Sequence, residues 1–207
     1  MYDLLSDDLL ENVRTGQVAA LVELDERGLL IGGGESPEAY AERLERLRDN
    51  LQSMETALEE DGEYTVEDLT VSADDRIPAS LFEEPQRTTW ELYRFRADWV
   101  PGFYVNPSFG WLFGGCAFYF YPDFFAMFII RRSFAQRERW LIYNRSELLS
   151  HELCHVARIA MDSTVFEELL AYQTAATGFR RALGSVFRSP ADSFLLLGVT
   201  FLLLLGQ

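Results

Sequence analysis

Five residues carry the chemistry that this sequence offers: His151-Glu152-Leu153-Cys154-His155. Residues four apart share one face of an α-helix, so His151 and His155 can aim ring nitrogens at a single metal ion. Glu152 follows the first histidine and lies beside that face. From there it can take a proton from a metal-activated water without binding the metal itself. These two histidines are the only ones in the chain. Catalytic zinc usually holds three protein ligands and keeps a fourth position open, so the third ligand must be a carboxylate or a cysteine. Glu167 and Glu168 open the next helical stretch and can fold back over the metal. Thr164, with Glu167 three residues on, has the spacing of a capping box. If Glu167 reaches back to the Thr164 backbone, Glu168 is left to face the metal. That favours Glu168, with Glu167 as the alternative.

Other polar neighbours have plainer readings. Glu147 lies one turn before His151 and suits the first turn of a helix as a solvated acid, with support of a histidine as the sharper option. Arg158 reads as a surface or structural ion pair, with contact to substrate or to the ligand glutamate as the alternative. Cys154 points away from the histidines by helical phase and reads as buried packing. Tyr143 and Tyr172 have hydroxyls able to donate to an oxyanion, although such residues are more often core. The oxyanion-stabilising role stays unassigned.

The motif needs a helix, a sheet beneath it and a second helix after it. The motif helix is expected from near Ser146, its N-cap, to about Met161. Cys116-Ala117-Phe118-Tyr119-Phe120-Tyr121 is a run of strand formers, Pro122-Asp123 a turn, and residues 124–130 a second run, together a hairpin. A transmembrane helix over residues 111–130 is the competing reading. Trp140-Leu141-Ile142-Tyr143 is a third run. Upstream, Tyr64-Thr65-Val66 and Leu69-Thr70-Val71 are candidate short strands, and residues 88–95 are a strand or a short helix. Residues 1–60 read as acidic and helical. Gly32-Gly33-Gly34 breaks them flexibly, and Ser36-Pro37-Glu38 starts a helix with the apolar face Tyr40, Leu44, Leu47, Leu51, Met54 and Leu58. They form either a helical hairpin packed on the main domain or an inhibitory or substrate-recruiting segment.

Composition excludes some partners. A net charge of -15 argues against nucleic acid, whose backbone needs clustered cations. Two cysteines, Cys116 and Cys154, make no disulfide framework and suit a reducing compartment. The N-terminus has no basic stretch before an apolar run, so no cleavable signal peptide is visible. Residues 194–205 are apolar and uncharged but too short to span a bilayer alone. They are either the start of a membrane anchor or a buried helix or oligomer contact. Arg180, Arg181 and Arg188 precede them, which under the positive-inside rule keeps the catalytic part on the cytoplasmic side. The expected location is therefore cytoplasmic, with membrane association through this segment as an option.

His151-Glu152-Leu153-Cys154-His155 followed by Glu168-Leu169-Leu170-Ala171 resembles the gluzincin metallopeptidases, in which H-E-x-x-H is completed by a glutamate on a later helix. The order of strands, motif helix and glutamate helix is similar to that of the minigluzincins and the ImmA/IrrE-type peptidases. The resemblance covers residues 116–185, and Tyr172 stands where those families often have Asp or Asn. It implies Zn2+ held by His151, His155 and Glu168, with Glu152 as general base and a peptide or protein as substrate. The implied fold class is α+β: a small zincin-like domain with a mainly antiparallel sheet packed on the motif helix and the glutamate helix, plus N-terminal helices. The expected parts are residues 1–60, an acidic helical region; 61–190, the zincin-like domain; and 191–207, the apolar segment. The function expected from the site is zinc-dependent peptide hydrolysis. The alternative is a catalytically degenerate module that binds a partner through its sheet, and a weaker one is an integral-membrane protein in which the motif is accidental.

Overall fold

The structure, a computed structural model, describes residues 5–106, 113–120, 125–141, 143–161 and 164–184. The N-terminal helices form where capping and patterning place them. Ser6 caps α1 (Asp7–Arg14) by accepting from the Leu9 N–H. α2 (Val18–Glu26) follows, and then α3 (Pro37–Glu60), whose cap Ser36 accepts from the Ala39 N–H at 3.2 Å. The expected apolar stripe of α3, from Tyr40 to Leu58, is buried along the whole helix. The glycine break is pinned rather than flexible. The Gly32 N–H donates to Glu35 at 2.8 Å, and Arg43 clamps Glu35 while also donating to the Leu30 carbonyl.

Strands β1 (Glu63–Val66) and β2 (Leu69–Ser72) make the short antiparallel hairpin expected upstream. Of residues 88–95, 88–93 are helix: they end α4 (Glu83–Tyr93), which stops at Arg94 in the left-handed region at φ 64°. The main sheet has three strands in the order β3-β5-β4, with β3 at Gly102–Val105, β4 at Gly115–Phe120 and β5 at Phe125–Arg131. β4 and β5 pair antiparallel from Gly115↔Ile130 to Phe120↔Phe125, as the hairpin expectation required. Their turn residues Pro122-Asp123 lie outside the described residues.

Most of the pairing is antiparallel, as expected, but the sheet is mixed, because β3 runs parallel to β5. β5 explains this. Its residues 125–130 are all buried, so it is apolar on both faces and needs a partner along each edge. β3 supplies the second edge. The third apolar run does not join this sheet: β6 (Arg139–Trp140) and β7 (Tyr143–Asn144) pair only with each other.

Behind and above the sheet lie the site helices. α5 (Arg145–Arg158) packs on β4 and α4; α6 (Thr164–Ala171) packs on α5, and α7 (Gly178–Gly184) follows. One continuous core runs from Leu5 to Ala171, so residues 5–60 have no separate core of their own. The link to α5 is close: a β-carbon at Gly28 would stand 3.1 Å from Ala157 Cβ, and the Trp99 indole donates to the Arg27 carbonyl. Among the described residues no helix is long and apolar enough to cross a membrane. The transmembrane reading of residues 111–130 gives way to the two strands, while the apolar segment 191–207 lies outside the described residues.

Candidate metal centre

The motif helix is capped two residues before the expected Ser146. Asn144 is the cap: its backbone is extended and its Oδ1 accepts from the Glu147 N–H at 3.1 Å. Asn144 also donates to Glu138 at 2.9 Å, which ties the helix start to the β6–β7 hairpin. Past Arg158 the chain tightens into a 3-10 turn, Ile159–Met161. Leu149, Leu153, Cys154, Val156 and Ala157 bury the back of α5, as the packing reading of Cys154 expected. His151 and His155 emerge along the opposite side, half-buried.

The two histidines and Glu168 converge. The Nε2 atoms of His151 and His155 are 3.1 Å apart. The Glu168 carboxylate straddles them, with Oε2 3.5 Å from His151 Nε2 and Oε1 3.6 Å from His155 Nε2. These are not ion pairs. Burial, then the charge of His155, pushes His151 down to about 3; burial, then Arg158, pushes His155 down to about 4. Both imidazoles are therefore neutral, the state in which a histidine binds a metal. A four-coordinate metal with bonds of about 2.0–2.1 Å sets its ligand atoms about 3.3 Å apart; the two Nε2 atoms are near that spacing, and one ligand atom from each of the three residues lies within 4.8 Å of the others. Glu167 stands outside this trio. Burial raises its pKa, and Arg158 opposes that. The Thr164 side chain lies outside what the structure describes, so Glu168 is selected over Glu167 by its distance to the histidines and not by the expected cap.

Glu152 is turned towards the sheet edge. One carboxylate oxygen accepts from the Ala117 N–H of β4 at 2.9 Å. β4 is an outer strand, and this N–H points away from β5. Burial pushes the Glu152 pKa up to about 7, the Ala117 N–H pulls it down and the Glu168 charge adds to the rise. A carboxylate poised there is well matched to general acid–base work near neutral pH. Gly115 lets α5 approach: a β-carbon there would stand 2.7 Å from Ile130 Cγ2 and 3.1 Å from Leu148 Cδ2 of α5.

Around the trio, His151 is held by a hydrogen bond to the Ala171 backbone carbonyl. Tyr172 sets its ring edge-on to His151, with centroids 4.8 Å apart. Glu147 is not a solvated acid: Arg180 donates to it at 2.8 Å and the Ala176 N–H at 3.2 Å, which ties the chain after α6 back to α5. A cleft of about 190 Å3 opens beside the trio, lined by His151, Glu152, Tyr143, Tyr172, Glu147 and Arg180. It adjoins a polar recess of about 460 Å3 that includes Glu138, Arg139 and Thr177. Among the described residues, none before Glu84 lines either space. The turn after α2 meets the back of α5 at Gly28 and Ala157, and among the described residues none of α1–α3 lines the cleft.

Sequence reasoning missed four parts of this site. Asn144 had a signal, since Asn with Glu147 three residues on has capping-box spacing. Arg180 was visible only as one of several arginines. The Ala117 N–H and the Ala171 carbonyl are backbone groups and leave no trace in residue types. Comparison with known protein families, curated proteins and solved structures gives no match.

Proposed function

We propose that this chain is a zinc-dependent peptidase of the gluzincin type, with His151, His155 and Glu168 as metal ligands and Glu152 as general base. One observation carries the reading: the two histidine Nε2 atoms are 3.1 Å apart, each has one oxygen of the Glu168 carboxylate at 3.5 or 3.6 Å, and the buried Glu152 carboxylate lies next to them. Two imidazoles and one carboxylate, beside a cleft that His151 and Glu152 line, are the donor set of a catalytic rather than a structural zinc site. Zinc bound there would polarise the scissile carbonyl and ease deprotonation of the attacking water. Glu152 takes the proton of that water and returns it to the leaving amine. The Ala117 N–H fixes one Glu152 oxygen, and among the described residues the other has no hydrogen-bond donor and can make this transfer. The outward edge of β4 offers backbone groups to an extended peptide, the geometry of strand addition.

Two measurements test the reading. Purified chain should hold about one zinc, lost in both His151→Ala and His155→Ala. It should also cleave members of a broad peptide library in a chelator-sensitive way, and Glu152→Gln should keep the zinc and lose the cleavage. Full hydrolysis by Glu152→Gln, or zinc retained without either histidine, sinks the proposal.

A further inference from the structure

We infer that Glu147 and Arg180 are positioning residues for the metal centre: their ion pair fastens the chain after α6 to α5, and so holds Glu168 and the backbone acceptor of His151 in register with the two histidines. The inference rests on the metal-site reading above. It concerns two side chains that are not among the three ligands.

Glu147, His151 and His155 stand four residues apart on α5 and therefore share one face. The chain from α6 onwards meets that face at three successive points, running the other way. Glu168 straddles the Nε2 atoms of His151 and His155. The Ala171 carbonyl accepts from His151, and the Tyr172 ring lies against the same imidazole. Glu147 makes the third point with both of its oxygens: Oε1 accepts from the Ala176 N–H at 3.2 Å and Oε2 from Arg180 at 2.8 Å. The side chains are 13% and 36% exposed, so this pair is more shielded than an ion pair on an open surface.

The segment between these points is tied to itself, so a shift at one end is passed to the other. Thr174 donates to the Ala171 carbonyl at 2.6 Å, the Ala175 N–H to the Tyr172 carbonyl at 3.1 Å, and Arg181 to the Ala175 carbonyl at 2.9 Å. α6 has only 8 residues and is marginal by itself, so the place of Glu168 depends on what fastens the helix. Tyr93 of α4 holds it at the Leu170 carbonyl, and Glu147 supplies the charged tie to α5. Charge and position predict different outcomes. Arg180 opposes positive charge at His151, whereas a carboxylate nearby favours a cation. By charge alone, losing Arg180 would strengthen metal binding and losing Glu147 would weaken it. If the pair positions the ligands, losing either one weakens binding.

Zinc affinity and hydrogen exchange of the full chain test this. Competition with a chelating dye should show zinc bound about tenfold more weakly by Glu147→Gln and by Arg180→Gln alike. The double variant should be no worse than the weaker single one, because both substitutions break the same tie. In metal-free protein, amides of residues 169–176 should exchange about tenfold faster in Arg180→Gln than in wild type. Glu55→Gln is the control. It breaks the ion pair of Glu55 with Arg76, neither of which lines the cleft or the recess, and should leave both readouts within about threefold of wild type. Zinc bound by Arg180→Gln as tightly as by wild type, or more tightly, overturns the inference, and so does an equal loss in Glu55→Gln. A wild-type chain that binds no zinc is a separate result: it removes the metal reading. Exchange in the metal-free proteins then decides whether the pair positions residues 169–176, and unchanged exchange in Arg180→Gln overturns that too.

Discussion

Glu152→Gln should make the zinc-free protein more stable at pH 8, and the gain should vanish near pH 5. Glu152 is 9% exposed, and burial moves its pKa from 4.5 to about 7. For an acid raised in this way, the favourable contribution is complete below the unfolded value of 4.5 and is lost as pH rises through about 7. At pH 8 the ionised carboxylate therefore costs about 3 kcal/mol, at about 1.36 kcal/mol per pH unit between the two values. Glutamine removes that cost and keeps an oxygen for the Ala117 N–H. Its amide needs a new acceptor, which takes back about 1 kcal/mol. The net gain is about 2 kcal/mol, or about 4–8 °C in Tm for a chain of this size. Urea or thermal unfolding of metal-free wild type and variant at pH 8 and pH 5 measures it directly. A variant no more stable than wild type at pH 8, or a gain that persists at pH 5, would refute the claim that Glu152 is held charged against its surroundings. The same substitution is expected to abolish hydrolysis, so stability and function would part at one atom.

Two further perturbations probe the frame. Glu168→Gln should weaken zinc binding by at least about tenfold, read by competition with a chelating dye, while Glu167→Gln should stay within about threefold, because only Glu168 straddles the two Nε2 atoms; the reverse order would move the third ligand to Glu167. Gly115→Ala should lower stability in urea by about 1–3 kcal/mol, since its β-carbon meets Ile130 Cγ2 at 2.7 Å and the Ile129 carbonyl oxygen at 2.8 Å. A loss under about 0.5 kcal/mol would show that Gly115 does not approach β5 as closely as the structure has it.

The legible parts of this chain are those set by local pattern. Ser36-Pro37 and the stripe from Tyr40 to Leu58 define α3 by themselves, because a cap and a 3.6-residue period suffice. The β4–β5 hairpin was legible from two apolar runs around a turn signal. The trio of His151, His155 and Glu168 was reachable because helical spacing fixes the first two, and the absence of other histidines narrows the third. β3 was not legible: it has four residues directly after Pro101, and its parallel pairing with β5 depends on which edge the hairpin leaves open. The run Trp140-Leu141-Ile142-Tyr143 misled for the complementary reason. Its apolar content resembles a sheet strand, yet Leu141 takes φ 50° and folds the run on itself. Glu147 was misread because helix-dipole logic sees only its own helix, whereas Arg180 reaches it from a segment 33 residues away.

The acidic N-terminal third, which the motif leaves unexplained, has a physical role in this arrangement. α5 has 14 residues, and helices of that length are marginal in isolation. It also carries three desolvated titratable groups: two imidazoles whose protonation burial opposes and a carboxylate whose ionisation burial opposes. Such a helix must be stabilised from behind. Gly28 against Ala157, the Trp99 indole on the Arg27 carbonyl and the stripe of α3 under β5 supply that support without entering the cleft. Net charge follows the same division. The acids of α1 and α3 lie largely on outer faces, while the groups that meet at the trio are desolvated. The N-terminal helices thus act on the site through the rigidity of α5, so a core substitution such as Leu44→Ala in α3 should reach the metal centre through stability alone and leave the pH profile of any hydrolysis unchanged.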